Sequence, residues 1–122
     1  DSCDGYVRSE AVVALYICRK SHSKRSYAVV AGIKCVNNGY NPEGISVPSV
    51  EMQTRTIQEV YSEAGVSPLE VRYVETHGTG TKVGDPREIM ALDQVFCKGR
   101  KEPLFVGSVK SNMGHSETAS GN

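Results

Sequence analysis

Residues 71–86 read Val-Arg-Tyr-Val-Glu-Thr-His-Gly-Thr-Gly-Thr-Lys-Val-Gly-Asp-Pro, and they decide how the rest of the chain is read. Val71, Tyr73 and Val74 belong to a short strand that ends at Glu75-Thr76, with His77 at its exit. Gly78, Gly80 and Gly84 bring backbone close to a neighbour, with Thr79 and Thr81 between them. Asp85 then reads as the cap of a helix with Pro86 at its first position and Glu88 completing a capping box. A strand that delivers a histidine into a Gly/Thr loop feeding a helix builds a site, because a rigid scaffold positions loops at strand ends.

Outward from this stretch, the chain supports one α/β domain at most. Its 122 residues carry 39 % hydrophobic and 23 % charged side chains, enough for a packed core. Fourteen basic and fourteen acidic residues cancel, which gives no electrostatic reason to expect nucleic acid or an anionic membrane as partner. The basic pairs Arg19-Lys20 and Lys24-Arg25 read as a solvated turn, and His22 within it as structural. No apolar run approaches the ~20 residues of a membrane span. The first residues, Asp-Ser-Cys-Asp-Gly, have neither an initiator Met nor the regions of a signal peptide, and suggest a piece cut from a longer chain. Cys3, Cys18, Cys35 and Cys97 lie far apart without metal-ligand or disulfide spacing. Cys18 and Cys35, in apolar runs, are expected to act as small hydrophobes, and a reducing, cytoplasmic setting fits best.

The N-terminal part predicts two strands. Glu10–Arg19 holds the continuous run Ala11 to Cys18, and Ser26–Val36 is again largely apolar, so both are expected to pair as a hairpin and to be covered on both faces. Gly32 inside the second implies a bulge or a close backbone approach. Residues 37–48 form a loop rich in Asn, Gly and Pro, long enough to suggest a functional or interface role. A helix follows from Val50 to Ala64, capped by Ser49 and stopped by Gly65, with Ile57, Val60, Tyr61 and Ala64 as its apolar stripe. The second helix is expected over Asp85–Lys98, with Ile89, Leu92, Val95 and Phe96 inward, and the next strand over Leu104–Val109.

The order β-β-loop-α-β-α-β has one consequence for function. Its last β-α-β unit joins parallel strands, whose carboxyl ends point to the same sheet edge. His77 leaves one strand there, and the loop Lys110-Ser111-Asn112-Met113-Gly114-His115 leaves the other, so the two histidines should converge. Motif logic alone leaves other readings open. Gly-Thr-Gly-Thr-Lys-Val-Gly imitates a dinucleotide fingerprint, although its third Gly comes one position late and the next strand ends without an acidic residue. A partner-binding module using the 37–48 loop explains neither histidine. A metal site from His77, Asp85 and His115 lacks the usual spacing.

Two motifs then carry a resemblance. Glu75-Thr76-His77-Gly78-Thr79-Gly80-Thr81 with Gly84-Asp85-Pro86 and Glu88 closely resembles the first histidine motif of the β-ketoacyl synthases, and Val109 to His115 resembles their second. Asp4 to Glu10 is similar to the turn joining the halves of that thiolase-like layered α-β-α-β-α fold. Ser9-Glu10-Ala11 and Phe96 to Arg100 look more like an animal, or insect, fatty acid synthase than a polyketide module.

The resemblance implies decarboxylative Claisen condensation of malonyl-acyl carrier protein with an enzyme-bound acyl thioester. It implies His77 and His115 as hydrogen-bond donors to the malonyl thioester oxygen and Lys110 as the organiser of the site. Thr79 and Thr81 match positions that contact the phosphopantetheine arm, with Gly78, Gly80, Asp85, Asn112 and Gly114 as structural residues. No cofactor is expected to bind directly, since acyl carrier protein carries the phosphopantetheine, and no metal is expected. The family's partners are malonyl and acyl thioesters, acyl carrier protein and a second copy in a homodimer. The nucleophile of the family sits in an Ala-Cys-Ser type motif that these 122 residues lack, and Cys3 is not in that context. The chain is therefore expected to be the start of the carboxyl-terminal half of a ketosynthase domain. Alone, it should neither condense substrates nor fold as a robust monomer.

Overall fold

A computed structural model of the chain describes residues 4–121. Helix α1 spans Val50–Ala64, strand β1 Tyr73–Glu75, helix α2 Gly84–Leu92, strand β2 Phe105–Gly107 and the short helix α3 Lys110–Met113. Single 3-10 turns lie at Lys20–His22, Pro68–Glu70 and Glu117–Ala119. β1 and β2 pair in parallel, Tyr73 against Phe105 and Glu75 against Gly107, with α2 as the connection between them. The expected β-α-β unit is thus present, and both strands end on one edge.

α1 forms where the sequence places it. Ser49 Oγ accepts the Met52 amide at 3.2 Å, satisfying one orphan donor of the first turn. At the other end Gly65 takes φ 64°, and Gly65 and Val66 donate to the Ser62 and Tyr61 carbonyls, the Schellman pattern. α1 packs on α2, and the edge of Tyr61 meets the Phe96 ring at 5.3 Å between centroids. Ala91, Leu92 and Phe96 are the buried hydrophobic side chains of that contact.

α2 differs from expectation at both ends. It starts at Gly84 and passes into a π-helical turn over Asp93–Cys97, with Gly99 in the left-handed region after it. Ile89 sits at the edge of the apolar stripe and stays half exposed. Asp85 does not cap the helix: Val83 holds the N-cap position, and Asp85 lies inside the first turn with its carboxylate turned back to the preceding loop. Thr81 supplies the capping oxygen instead, accepting the Gly84 amide at 3.2 Å.

The largest correction concerns residues 10–19 and 26–36. They carry no ladder hydrogen bonds, either with each other or with β1 and β2. Their large apolar side chains face outward, with Val12, Tyr16 and Ile33 at 101, 93 and 85 % exposure. Cys18 and Cys35 are likewise exposed rather than packed as small hydrophobes, whereas Cys3 lies outside the described residues. The physical reason is the pattern itself. A run apolar on both faces suits a central strand, which needs a neighbour on each side for its amides and carbonyls. Here the second segment approaches α1, a helix that offers no ladder partner. A Cβ on Gly32 would stand 3.0 Å from Val60 Cγ2, so this glycine does mark a close approach. Lys34 Nζ also reaches Glu59 Oε2 of α1 at 3.1 Å.

The 37–48 loop is internally tied and fastened to α2. Asn41 Oδ1 accepts the Glu43 amide, and its Nδ2 donates to the Val47 carbonyl at 2.8 Å. Arg87, in the first turn of α2, donates to the Pro48 carbonyl at 3.1 Å and pairs with the Glu43 carboxylate. Among the described residues no helix is long and apolar enough to cross a membrane.

Candidate active site

Three backbone segments meet at the common edge of β1 and β2: the loop 76–81, the turn 108–116 and the N-terminal strap 5–9. The first two are stitched together as the strands end. Thr76 is buried, and both its amide and its hydroxyl donate to the Gly107 carbonyl, at 2.8 and 2.9 Å. Ser108 Oγ donates to the His77 carbonyl at 3.3 Å.

The loop is shaped by two carboxylates of α2. Glu88 accepts the His77 amide at 2.7 Å with one oxygen and the Gly78 amide at 3.0 Å with the other. Asp85 accepts the Gly80 amide at 2.9 Å and the Thr81 amide at 3.2 Å. One helical face thereby holds four amides of the loop with two acids three residues apart. This arrangement removes the nucleotide reading. A phosphate cradle needs those N–H groups free, and here carboxylates of the same chain occupy them.

The strap crosses over both loops where glycines leave room. Gly80 takes φ 83°, and a Cβ there would stand 2.7 Å from the Gly5 carbonyl oxygen. Gly114 takes φ 80° and would meet the Val7 carbonyl oxygen at 2.8 Å. The Gly5 amide donates to the Gly80 carbonyl at 3.1 Å. His115 donates its amide to Val7 O at 2.8 Å and accepts from the Ser9 amide at 3.0 Å.

The two imidazoles converge as the topology requires. Their ring centroids are 5.1 Å apart and their planes 87° from parallel. His115 is buried under the tilted ring of Tyr6, 4.8 Å away. Its Nδ1 accepts the Glu117 amide at 3.1 Å, so in the neutral ring the proton sits on Nε2. Glu117 reaches that position with φ 52°, a left-handed conformation tolerated where a side chain is being oriented. His77 is exposed and is not itself among the residues lining the crevice, which begins at its neighbour Gly78. Burial holds its pKa below the ordinary histidine value, and the charge of Lys110 and the neighbouring His115 push in the same direction.

Of the residues singled out by sequence, Gly78, Thr79, Gly80, Asp85, Lys110, Asn112, Gly114 and His115 line one open crevice between the loops. Thr81 is not on that lining, because its hydroxyl is turned to the helix start. Three residues were given no site role by sequence reasoning: Tyr6, Glu75 and Glu88. Glu88 could have been found from the loop it follows. A glycine-rich loop exposes consecutive amides that need acceptors, and acids three apart on the next helix face can supply them.

Comparison with known proteins decides the family. The family model described as "Beta-ketoacyl synthase, C-terminal domain" matches residues 27–122. The chain belongs to the β-ketoacyl synthase family. Over 98 % of its length the ketosynthase chain is 48 % identical to a fatty acid synthase of Anser anser anser, covering 34 % of that relative. It is also 48 % identical to a highly reducing polyketide synthase of Hypocrea virens, of which it covers 5 %. Among solved structures, the ketosynthase from module 1 of the bacillaene synthase of Bacillus amyloliquefaciens matches 70 % of the chain with a TM-score of 0.65 and 44 % identity; the chain covers 17 % of that structure. An oxazolomycin ketosynthase domain of Streptomyces albus matches 70 % of the chain with a TM-score of 0.66 and 32 % identity, and 23 % of it is covered. The fold is therefore α/β and thiolase-like, and the chain spans a minor part of each relative. In this ketosynthase frame the crevice between the two histidine loops is the candidate active site.

Proposed function

We propose that the chain forms part of the condensing site of a larger fatty acid synthase, where malonyl held on the phosphopantetheine of acyl carrier protein loses carbon dioxide. The bond from the malonyl α-carbon to its carboxylate breaks, carbon dioxide leaves, and the electron pair becomes an enolate on the thioester. The enolate carbon attacks an acyl thioester held on a cysteine contributed from outside these 122 residues, and that cysteine departs as thiolate. The observation that carries this reading is the pair of imidazoles 5.1 Å apart at one sheet edge. Each can present one N–H donor to the oxygen on which enolate charge develops.

The other roles follow from position. Lys110, on the crevice wall beside His77, adds positive charge where the enolate forms. Thr79 faces the crevice as a contact for the pantetheine arm. Thr81, Gly78, Gly80, Asp85, Asn112 and Gly114 hold the loops in shape. The outward apolar segments 10–19 and 26–36 support burial against further protein, including the nucleophile-bearing half and a second copy in a homodimer. A polyketide synthase is the second reading, favoured by equal identity to the fungal relative. The product released by the full-length protein separates the two.

The test is release of carbon dioxide from malonyl-acyl carrier protein by the full-length protein, followed by formation of the 3-oxoacyl product. Absence of any malonyl-dependent release would contradict the reading. The depressed pKa of His77 adds an expectation about pH. A folded-state value below the unfolded one means that stability is full above about pH 6.5 and is lost as pH falls from there through the folded value. The melting temperature of the wild type should therefore drop more steeply between about pH 7 and 5 than that of His77→Gln. Parallel profiles would contradict the lowered pKa of His77.

A further inference from the structure

Glu75 ends β1 two residues before His77, yet its carboxylate serves the other histidine loop. One oxygen accepts the Val109 amide at 2.6 Å, and the second accepts the Tyr73 hydroxyl. Val109 occupies the N-cap position of α3, the turn that carries Lys110 and Asn112 and leads to His115. Its carbonyl accepts the Asn112 and Met113 amides at 2.9 and 3.2 Å, so the turn hangs from this residue. Valine has no side-chain oxygen with which to cap, and the N-terminus of α3 has no side-chain cap hydrogen bond. Glu75 provides an acceptor from across the sheet at this point. Thr76 and Ser108 bond within the strand ends, whereas Glu75 reaches past β2 to the base of the Lys110 turn.

We propose that Glu75 is a positioning residue that sets Lys110 and His115 against His77, by fastening the start of the second histidine loop to the end of the first strand. This rests on the decarboxylation reading above. The bond to Val109 needs reach and an acceptor, and charge is secondary. Gln keeps both requirements. Asp keeps the charge but is one methylene short of the Val109 amide while β1 stays in register.

The experiment measures carbon dioxide release from malonyl-acyl carrier protein by the full-length protein carrying Glu75→Gln, Glu75→Asp, Glu75→Ala or His77→Ala. A charge-assisted hydrogen bond has an effect of about tenfold or more on a rate that depends on it. Glu75→Asp and Glu75→Ala should therefore lower kcat about tenfold with KM within about twofold, and Glu75→Gln should stay within about threefold of wild type. Acyl loading should be unchanged in all of them. If Ala does not fold, the comparison of Gln with Asp decides alone. Wild-type turnover in Glu75→Asp, or equal losses in Gln and Asp, would overturn the positioning role. Either result beside an inactive His77→Ala overturns only Glu75. A fully active His77→Ala removes His77 from the decarboxylation chemistry and overturns this proposal with it, whereas loss of malonyl-dependent release in the wild type would overturn the decarboxylation reading itself.

Discussion

His77→Ala and His115→Ala in the full-length protein should each lower malonyl decarboxylation by about 10²–10³-fold, the loss measured when one donor of an oxyanion site is removed. The two rings stand edge to face with centroids 5.1 Å apart, close enough to address one oxygen from two directions. His115 is the better fixed of the two. Its Nδ1 is occupied by the Glu117 amide, and its backbone pairs with Val7 and Ser9 of the strap. Its truncation should also disturb the packing of Tyr6, so a lower melting temperature is expected for His115→Ala and not for His77→Ala. Acyl loading does not pass through an enolate and should survive both changes. Labelled acyl transfer and labelled carbon dioxide release, measured separately, distinguish these outcomes. Wild-type carbon dioxide release in both variants would remove the histidines from the chemistry.

Glu88→Ala should come next in size. The carboxylate accepts the His77 and Gly78 amides, and hydrogen bonds to charged groups contribute about 1.5–3 kcal/mol each. The His77 side is exposed to water, which argues for the low end of that range. We expect a fall in kcat of about tenfold to a hundredfold, with a lowered melting temperature. Glu88→Gln makes the argument sharper. A carboxamide can accept one of the two amides, but its NH₂ then faces the other donor to donor. Gln should thus be nearly as damaging as Ala, although it is almost the same shape. A fully active Glu88→Gln would show that the paired acceptors do not shape the loop.

Much of the site was legible before the structure because it depends on local order. A strand ending at His77, a helix, and a second strand leading to His115 suffice to bring both histidines to one edge, and the parallel pairing of Tyr73 with Phe105 bears this out. Ser49 and Gly65 likewise bounded α1 through chemistry confined to neighbouring residues. What failed depends on partners distant in sequence. The apolar runs at 10–19 and 26–36 specify chain that packs on both faces. They do not say what supplies the neighbouring strands, and here they pair with no strand and stay exposed. Asp85 failed differently. Its place before Pro86 fits a helix cap, but Thr81 already accepts the Gly84 amide, and the acid turns to amides of the loop. Local rules identify a group that can accept, whereas the competing donors appear only once the loop has closed over the helix.

The most direct measurement is a crystal structure of the full-length protein with a malonyl-pantetheine analogue whose thioester sulfur is replaced by nitrogen, so that the carbonyl is retained. The account predicts the carbonyl oxygen at about 2.7–3.2 Å from a ring nitrogen of both His77 and His115, with the pantetheine arm passing Thr79. A carbonyl oxygen that meets neither imidazole in the bound analogue would contradict it.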